Sequence, residues 1–242
     1  MSPDIPDRWL AYKACGKVID GTRIICFKVP LSKTIKRKKG KEPWNINTLL
    51  RSIPKLGAVI DLTNTNKYYS PMELQRKGIL YKKIFMPGRF IPPQNKVTEF
   101  MDTVDGFLQG DDDSLVGVHC THGLNRTGYM VCRYMRDRLG ISPHDAIKEF
   151  QRARGYAIER QNYVADILGE IPPPPDVGPD CSTIVRPIDD TIDESPVKHN
   201  KTKKSKKNFN CNITTDKNYK NKKSNPSDYG RSSNKYNFKY DY

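Results

Sequence analysis

The residues that could do chemistry cluster in one stretch. From Leu115 the chain reads Leu-Val-Gly-Val-His-Cys-Thr-His-Gly-Leu-Asn-Arg-Thr-Gly, ending at Gly128. Small and apolar residues lead to Cys120, as in a buried strand. Beyond Gly128, Tyr129, Val131, Cys132, Met135 and Leu139 recur at helical spacing. A strand, a tight loop and a helix N-terminus make an anion cradle, because loop amides and the helix dipole converge on one point. A cysteine placed there beside an arginine is held partly as thiolate, the nucleophilic form. Arg126 can grip two phosphate oxygens with its planar fork. Thr127 can donate its hydroxyl to the thiolate and stabilise it again as a leaving group. Gly123 and Gly128 permit tight turning and close backbone approach. The chemistry implied is attack of the Cys120 sulfur on phosphorus, giving a phosphocysteine that water hydrolyses. His119 is suited to organising the loop rather than acting as a base. A metal site built on His119, Cys120 and His122 would need further ligands, and no second Cys/His pair at ligand spacing occurs elsewhere.

The run from His119 to Tyr134 closely resembles the RNA 5′-triphosphatase branch of the cysteine phosphatases, within the dual-specificity group. That branch includes the triphosphatase domain of metazoan mRNA capping enzymes. Four further stretches carry the likeness: Ile5–Trp9, Gly21–Leu31, Ile60–Tyr69 and Glu159–Tyr163. Together they cover roughly residues 1–170. The resemblance implies an α/β fold, with a central twisted mixed sheet flanked by helices and the phosphate-binding loop between strand and helix. It implies a metal-independent enzyme without cofactor, taking either the γ-phosphate alone or both the γ- and β-phosphates from RNA 5′ ends. The implied partners are RNA with a 5′-triphosphate or diphosphate end and ribonucleoprotein proteins, with no membrane, a monomeric state and a nuclear location. Carried onto this chain, the catalytic residues are Cys120, Arg126 and Thr127. The substrate-binding set is His119, Thr121, His122, Gly123, Leu124, Asn125, Arg160, Asp61 and Lys28. Within it, Asn125 is read as a brace of the loop and Arg160 as a second phosphate contact or a salt-bridge partner. Asp61 at a strand end reads more readily as a structural or orienting group, and Lys28 is the weaker phosphate candidate.

One absence shapes the substrate reading. Protein-directed cysteine phosphatases carry an aspartate on a loop upstream of the cysteine, which protonates the departing alcohol or phenol. The corresponding stretch here, Phe85 to Asn95, contains no Asp or Glu, and the nearest acids in sequence are Glu73 and Glu99. A tyrosine leaving group has a pKa of about 10 and benefits from a proton. A phosphate leaving group protonates near pH 6 and can depart as an anion. General acid catalysis contributes typically about 10²–10⁴-fold, so its loss favours the phosphoanhydride. The RNA triphosphatase branch also lacks that aspartate. Arg89 stands in this loop where relatives have His, and Lys67 stands where relatives have Arg. The competing readings are a dual-specificity protein phosphatase and an RNA-binding adaptor with a relic site.

The 242 residues carry a net charge of +15. Residues 1–170 hold 28 Lys/Arg against 18 Asp/Glu, and the remainder 14 against 9. The catalytic part is therefore itself basic, which suits a polyanionic substrate and predicts weaker binding in salt. No apolar run approaches membrane-spanning length, and the first residues lack a signal pattern. Six scattered cysteines without framework spacing, with a catalytic thiol among them, point to a reducing compartment.

The elements that must position the cradle follow from periodicity and caps. Strands are expected at 23–31, 57–62 and 79–85, besides the one leading to Cys120. Helices are expected at 47–53 (capped by Asn47), 71–77, 95–108, after Arg126 as far as Gly140, from the Ser142-Pro-His-Asp145 start, and at 162–168. Residues 3–20 read as an opening segment ending in a turn at Asp20-Gly21. The domain is expected to end at 170, followed by a basic, disordered tail over 171–242. The basic runs Lys36–Lys41 and Lys201–Lys207 read as solvated loops, nuclear-import signals or RNA contacts.

Overall fold

The structure, a computed structural model, describes residues 5–32, 44–110 and 113–175. The runs at 36–41 and 201–207, and the tail from 176 onward, lie outside the described residues.

Five strands form one sheet in the order β1-β2-β5-β3-β4. These are β1 (Cys15–Val18), β2 (Ile24–Lys28), β3 (Leu56–Asp61), β4 (Leu80–Lys83) and β5 (Leu115–Cys120). β1 runs antiparallel to β2, and the remaining pairs are parallel. The sheet is thus mixed and flanked by helices, as expected. β5 lies at its centre, which buries the strand that ends in the cysteine on both faces. Alternation sorts the side chains between two cores. Ile24, Cys26, Ala58, Ile60, Val116, Val118 and Cys120 face one core, closed by α3 (Gln94–Gln109), α4 (Asn125–Asp137), α5 (Pro143–Arg154) and α6 (Gln161–Leu168). Ile25, Phe27 and Val59 face the other, closed by Trp9, Trp44, Tyr68, Tyr69 and the α1 helix (Ile46–Ser52), with Leu74 from α2 (Met72–Gln75).

Local grammar accounts for most boundaries. Ser142 caps α5: its Oγ accepts from the Asp145 amide at 3.2 Å and donates to the Asp145 carboxylate at 2.6 Å, with Pro143 in the first turn. The α1 cap differs from expectation. Asn45, not Asn47, accepts from the Thr48 amide at 3.0 Å. Starting the helix at Ile46 turns Ile46 and Leu49 together into the core, and that apolar pairing sets the register. The opening segment is also more ordered than its sequence pattern implies. It holds a 3₁₀ turn, Trp9–Ala11, and β1, a half-exposed edge strand.

Two charged residues of the candidate substrate-binding set hold the fold. Lys28 is buried, and its ammonium donates to the carbonyls of Trp9 (3.0 Å) and Tyr12 (2.7 Å) while lying 3.7 Å from the Trp9 ring centroid. It is the anchor of the N-terminal segment, not a phosphate contact. Asp61 is likewise buried, and it faces its strand neighbour Lys83 across β3 and β4. Its carboxylate accepts from Lys83 Nζ (2.9 Å), the Thr63 amide and hydroxyl (both 2.8 Å) and Tyr81 (3.1 Å). Every lone pair is engaged, so Asp61 organises the end of the sheet and is not a substrate ligand. Burial raises its pKa, but His119, Lys83 and the Thr63 amide outweigh that and hold it below the ordinary carboxylate value.

A carboxyl with a depressed folded-state pKa contributes stability that is complete above its unfolded value of about 3.9 and is lost as pH falls through the folded value. Asp61→Asn should therefore cost about 3–5 kcal/mol at pH 7, the usual penalty for stranding one member of a buried ion pair. The gap between variant and wild type should close below about pH 4. Urea melts across pH check both statements, and a gap that widened on acidification would contradict them.

Candidate active site

β5 delivers Cys120 to the floor of a cleft of about 410 Å³. The chain then turns through 121–124 and enters α4 at Asn125. Gly123 makes the turn possible: its φ is +69°, and a Cβ there would lie 2.3 Å from the Phe27 carbonyl oxygen. Gly128 does the same for the helix, where a Cβ would meet Ile158 and Phe150 at 2.7 Å. Both glycines let the loop lie flat against the sheet end, so that its amides surround the sulfur.

Cys120 is buried. Burial alone would raise its pKa, yet the Arg126 charge, the Thr127 hydroxyl and the amides of Thr127 and Leu124 together lower it below the ordinary thiol value. The other three described cysteines are free thiols that behave oppositely. Burial pushes Cys15 up to about 11, and it raises Cys26 and Cys132 as well. Environment, not residue type, therefore sets one thiol apart among the four described cysteines. The Thr127 Oγ is buried with no formal hydrogen-bond partner at rest, which leaves its proton for the sulfur.

Arg126 is preset by carbonyls. One guanidinium nitrogen donates to Met86 O (2.9 Å) and Leu62 O (3.2 Å), and the other to the Thr121 hydroxyl (2.9 Å). The ends of β3 and of the β4–α3 loop thus aim the fork at the cleft before any ligand arrives. Thr121, His122, Asn125, Arg126 and Arg160 all line the cleft with Cys120. Leu124 is a buried side chain that contributes its amide, and Gly123 contributes shape. Asn125 is the brace expected: its side-chain oxygen accepts from the amides of Glu159 (2.8 Å) and Arg160 (3.0 Å). His119 does not reach the cleft. It is fully buried, which pushes its imidazole toward the neutral form. In that form Nδ1 donates to the Cys120 carbonyl (3.2 Å) and Nε2 accepts from Tyr69 (2.8 Å). It fixes the backbone behind the nucleophile and is a positioning residue, not a substrate ligand.

Three contributions were not foreseen. Arg154, one of the most deeply buried residues, donates to the carbonyls of Gly123 (3.1 Å), His122 (2.9 Å) and Lys13 (2.9 Å). It draws the loop carbonyls backward, which turns the amides forward. Its spacing from Ala146 and Phe150 on α5 was the available signal, since that period places it on the inward face. Glu159 is the second. It accepts from Arg8 (2.8 Å), Tyr12 (2.6 Å) and the Asn125 amide group (3.3 Å). The third is the N-terminal segment: Ile5, Pro6, Asp7 and Arg8 form one wall of the cleft, and the Asp7 carbonyl lies 2.6 Å from His122 Nε2. The remaining rim is cationic, with Lys67, Arg89 and Arg160.

A strand-loop-helix cradle holding a cysteine of lowered pKa, an arginine and a hydroxyl donor is the arrangement of a phosphatase-type site, and the comparisons agree at the level of family. The model of the dual specificity phosphatase catalytic domain matches residues 45–169. A tyrosine-protein phosphatase of Autographa californica nuclear polyhedrosis virus is 51% identical over 165 residues, which is 67% of this chain and 98% of that one. The human RNA/RNP complex-1-interacting phosphatase is 45% identical over 170 residues, covering 67% of this chain and 51% of its own length. The crystal structure of Tk-PTP in its active form superimposes with a TM-score of 0.51 at 22% identity, over 64% of this chain and 93% of that one, which supports the fold. The chain belongs to the dual-specificity phosphatase family.

At pH 6.5 iodoacetamide should modify Cys120 well before Cys15, Cys26 or Cys132, as peptide mapping would show. Thr127→Ala removes a hydrogen bond to a charged group, worth about 1.5–3 kcal/mol. The pH midpoint of Cys120 alkylation should then rise by about one to two units. A midpoint that stayed in place would remove Thr127 from the set that stabilises the thiolate.

Proposed function

We propose that this protein is a metal-independent RNA 5′-phosphohydrolase that acts on the phosphoanhydrides of triphosphate and diphosphate ends. The observation that carries the reading is a cleft rich in cations and short of a proton donor. Arg8, Lys67, Arg89, Arg126 and Arg160 line it. Its carboxylates are Asp7, which accepts from the Arg8 amide at 2.9 Å, and Glu159, which already serves Arg8, Tyr12 and Asn125. The loop above Arg126, residues 85–95, has no acid at all.

In this reading the Cys120 thiolate attacks the γ-phosphorus, and the bond to the bridging oxygen breaks. The diphosphate-ended RNA leaves as an anion, so no acid is required. Arg126 and the loop amides take up the charge that develops on the equatorial oxygens. Water then attacks the phosphocysteine; inorganic phosphate is released, and the departing sulfur recovers its hydrogen bond from Thr127. Arg160, Arg89 and Lys67 serve the remaining phosphates. The printed name of the human relative, which refers to an RNA/RNP complex, is in keeping with such a substrate, and the basic runs at 36–41 and 201–207 suit a nuclear location. The name of the viral relative favours a second reading, a phosphatase of phosphotyrosine.

Phosphate release from a short 5′-triphosphate RNA in EDTA decides between them. Wild type should release phosphate, Cys120→Ser should be inactive, and activity should fall as salt rises. Equal loss of 5′-phosphates with both proteins would refute the thiol mechanism. Turnover of a phosphotyrosine peptide without turnover of RNA would replace this reading by the second.

A further inference from the structure

The loop between β4 and α3 holds more than a missing acid. At its two ends it presents phenylalanines that are half in solvent, Phe85 at 47% and Phe90 at 49% exposure. The backbone between them is not slack. Its carbonyls are held at Met86 by Arg126 (2.9 Å), at Arg89 by the Asn162 side chain (2.7 Å) and at Phe90 by the Tyr163 hydroxyl (3.0 Å). Two of those donors, Arg126 and Tyr163, line the cleft, as do Gly88 and Arg89 of the loop itself. Arg89 sits at φ +75°, a left-handed conformation that costs a non-glycine residue free energy and persists where its surroundings impose it. The loop is thus fixed to the cleft, carries strain at a residue that borders it, and includes two half-exposed aromatic rings among its solvent-exposed positions.

We propose that Phe85 and Phe90 form an aromatic rim that stacks the first nucleobases of a single-stranded RNA whose phosphate end lies over Cys120. The proposal rests on the RNA reading above and specifies what that site recognises beyond the phosphates. The physical case is complementarity on two counts. The same loop contributes Gly88 and Arg89 to the cleft, whose other cations include Lys67, Arg126 and Arg160, so the occupant is an anion. Phe85 and Phe90, on either side of that cleft-lining stretch, offer half-exposed rings, so the occupant also carries flat π faces. A nucleic-acid 5′ end has both, with phosphates innermost and bases beyond them. Base stacking on aromatic side chains is tolerant of sequence, so the rim would select RNA ends over bare polyphosphate without reading a motif.

The test uses the full-length Cys120→Ser protein, which binds without turnover, and two 3′-fluorescein trinucleotides with 5′-triphosphates, one with all bases and one abasic at the first two positions. Fluorescence anisotropy should show the intact probe binding about tenfold tighter than the abasic one, a difference of about 1.4 kcal/mol. Adding Phe85→Ala and Phe90→Ala should erase that ratio, and Phe90→Trp should preserve or increase it. A ratio near one in the starting protein, or a double variant that weakens both probes equally, would overturn the rim. Failure of the RNA reading is seen separately, as wild-type protein that leaves the triphosphate of the intact probe untouched.

Discussion

A negative sulfur inside a protein needs from its neighbours the donors that water would have supplied. Cys120 is buried, and burial alone would return it to the neutral thiol. Arg126, Thr127 and two loop amides outweigh that and bring its pKa below the ordinary thiol value, and each of these must itself be held. Arg154 and His119 do so from behind, on the loop carbonyls and the strand backbone. Asn125 and Glu159 do so from the side. The ends of β3 and the β4–α3 loop supply the carbonyls that orient Arg126. Much of the architecture can be read outward from that one buried sulfur.

What the sequence revealed depended on whether the signal was local. The cradle was legible because its nucleophile, arginine, threonine and glycines are consecutive, and a strand-loop-helix needs no distant information. The Ser142 cap was legible for the same reason. Asn45 was missed because two asparagines flank Ile46, and which of them caps the helix depends on the core that Ile46 and Leu49 enter. Lys28 stood as the weaker phosphate candidate and Asp61 as more readily structural, but the partners of neither were legible. Tertiary structure paired one with two carbonyls and the other with Lys83. Neither Trp9 nor Tyr81 announces itself as a partner from its position in the chain. Arg154 carried a local signal, since its helical period with Ala146 and Phe150 places it inward, but its carbonyl partners lie far away in the chain.

The N-terminal segment illustrates the same point for the cleft itself. Nothing periodic marks residues 5–13, yet they build a wall of the site. They are fastened from four directions: by the Lys28 ammonium, by Arg154, by Glu159 and by Trp9 Nε1, which donates to the Val29 carbonyl at 3.1 Å. A short stretch without a core of its own thus acquires a fixed shape from long polar side chains that reach across to it.

The strand order carries a consequence for how the protein comes into being. β5 enters between β2 and β3, so its pairing must wait for the ribosome to deliver a segment far downstream of both. Loop closure of that length makes the central ladder a late event. Arg154 comes later in the chain than the loop it shapes. Until those pieces meet, nothing in its surroundings lowers the pKa of Cys120 below that of an ordinary thiol, which is poor as a nucleophile and slow to oxidise. The hazard of carrying a reactive sulfur is therefore deferred during synthesis, and reactivity arrives together with the walls that enclose it.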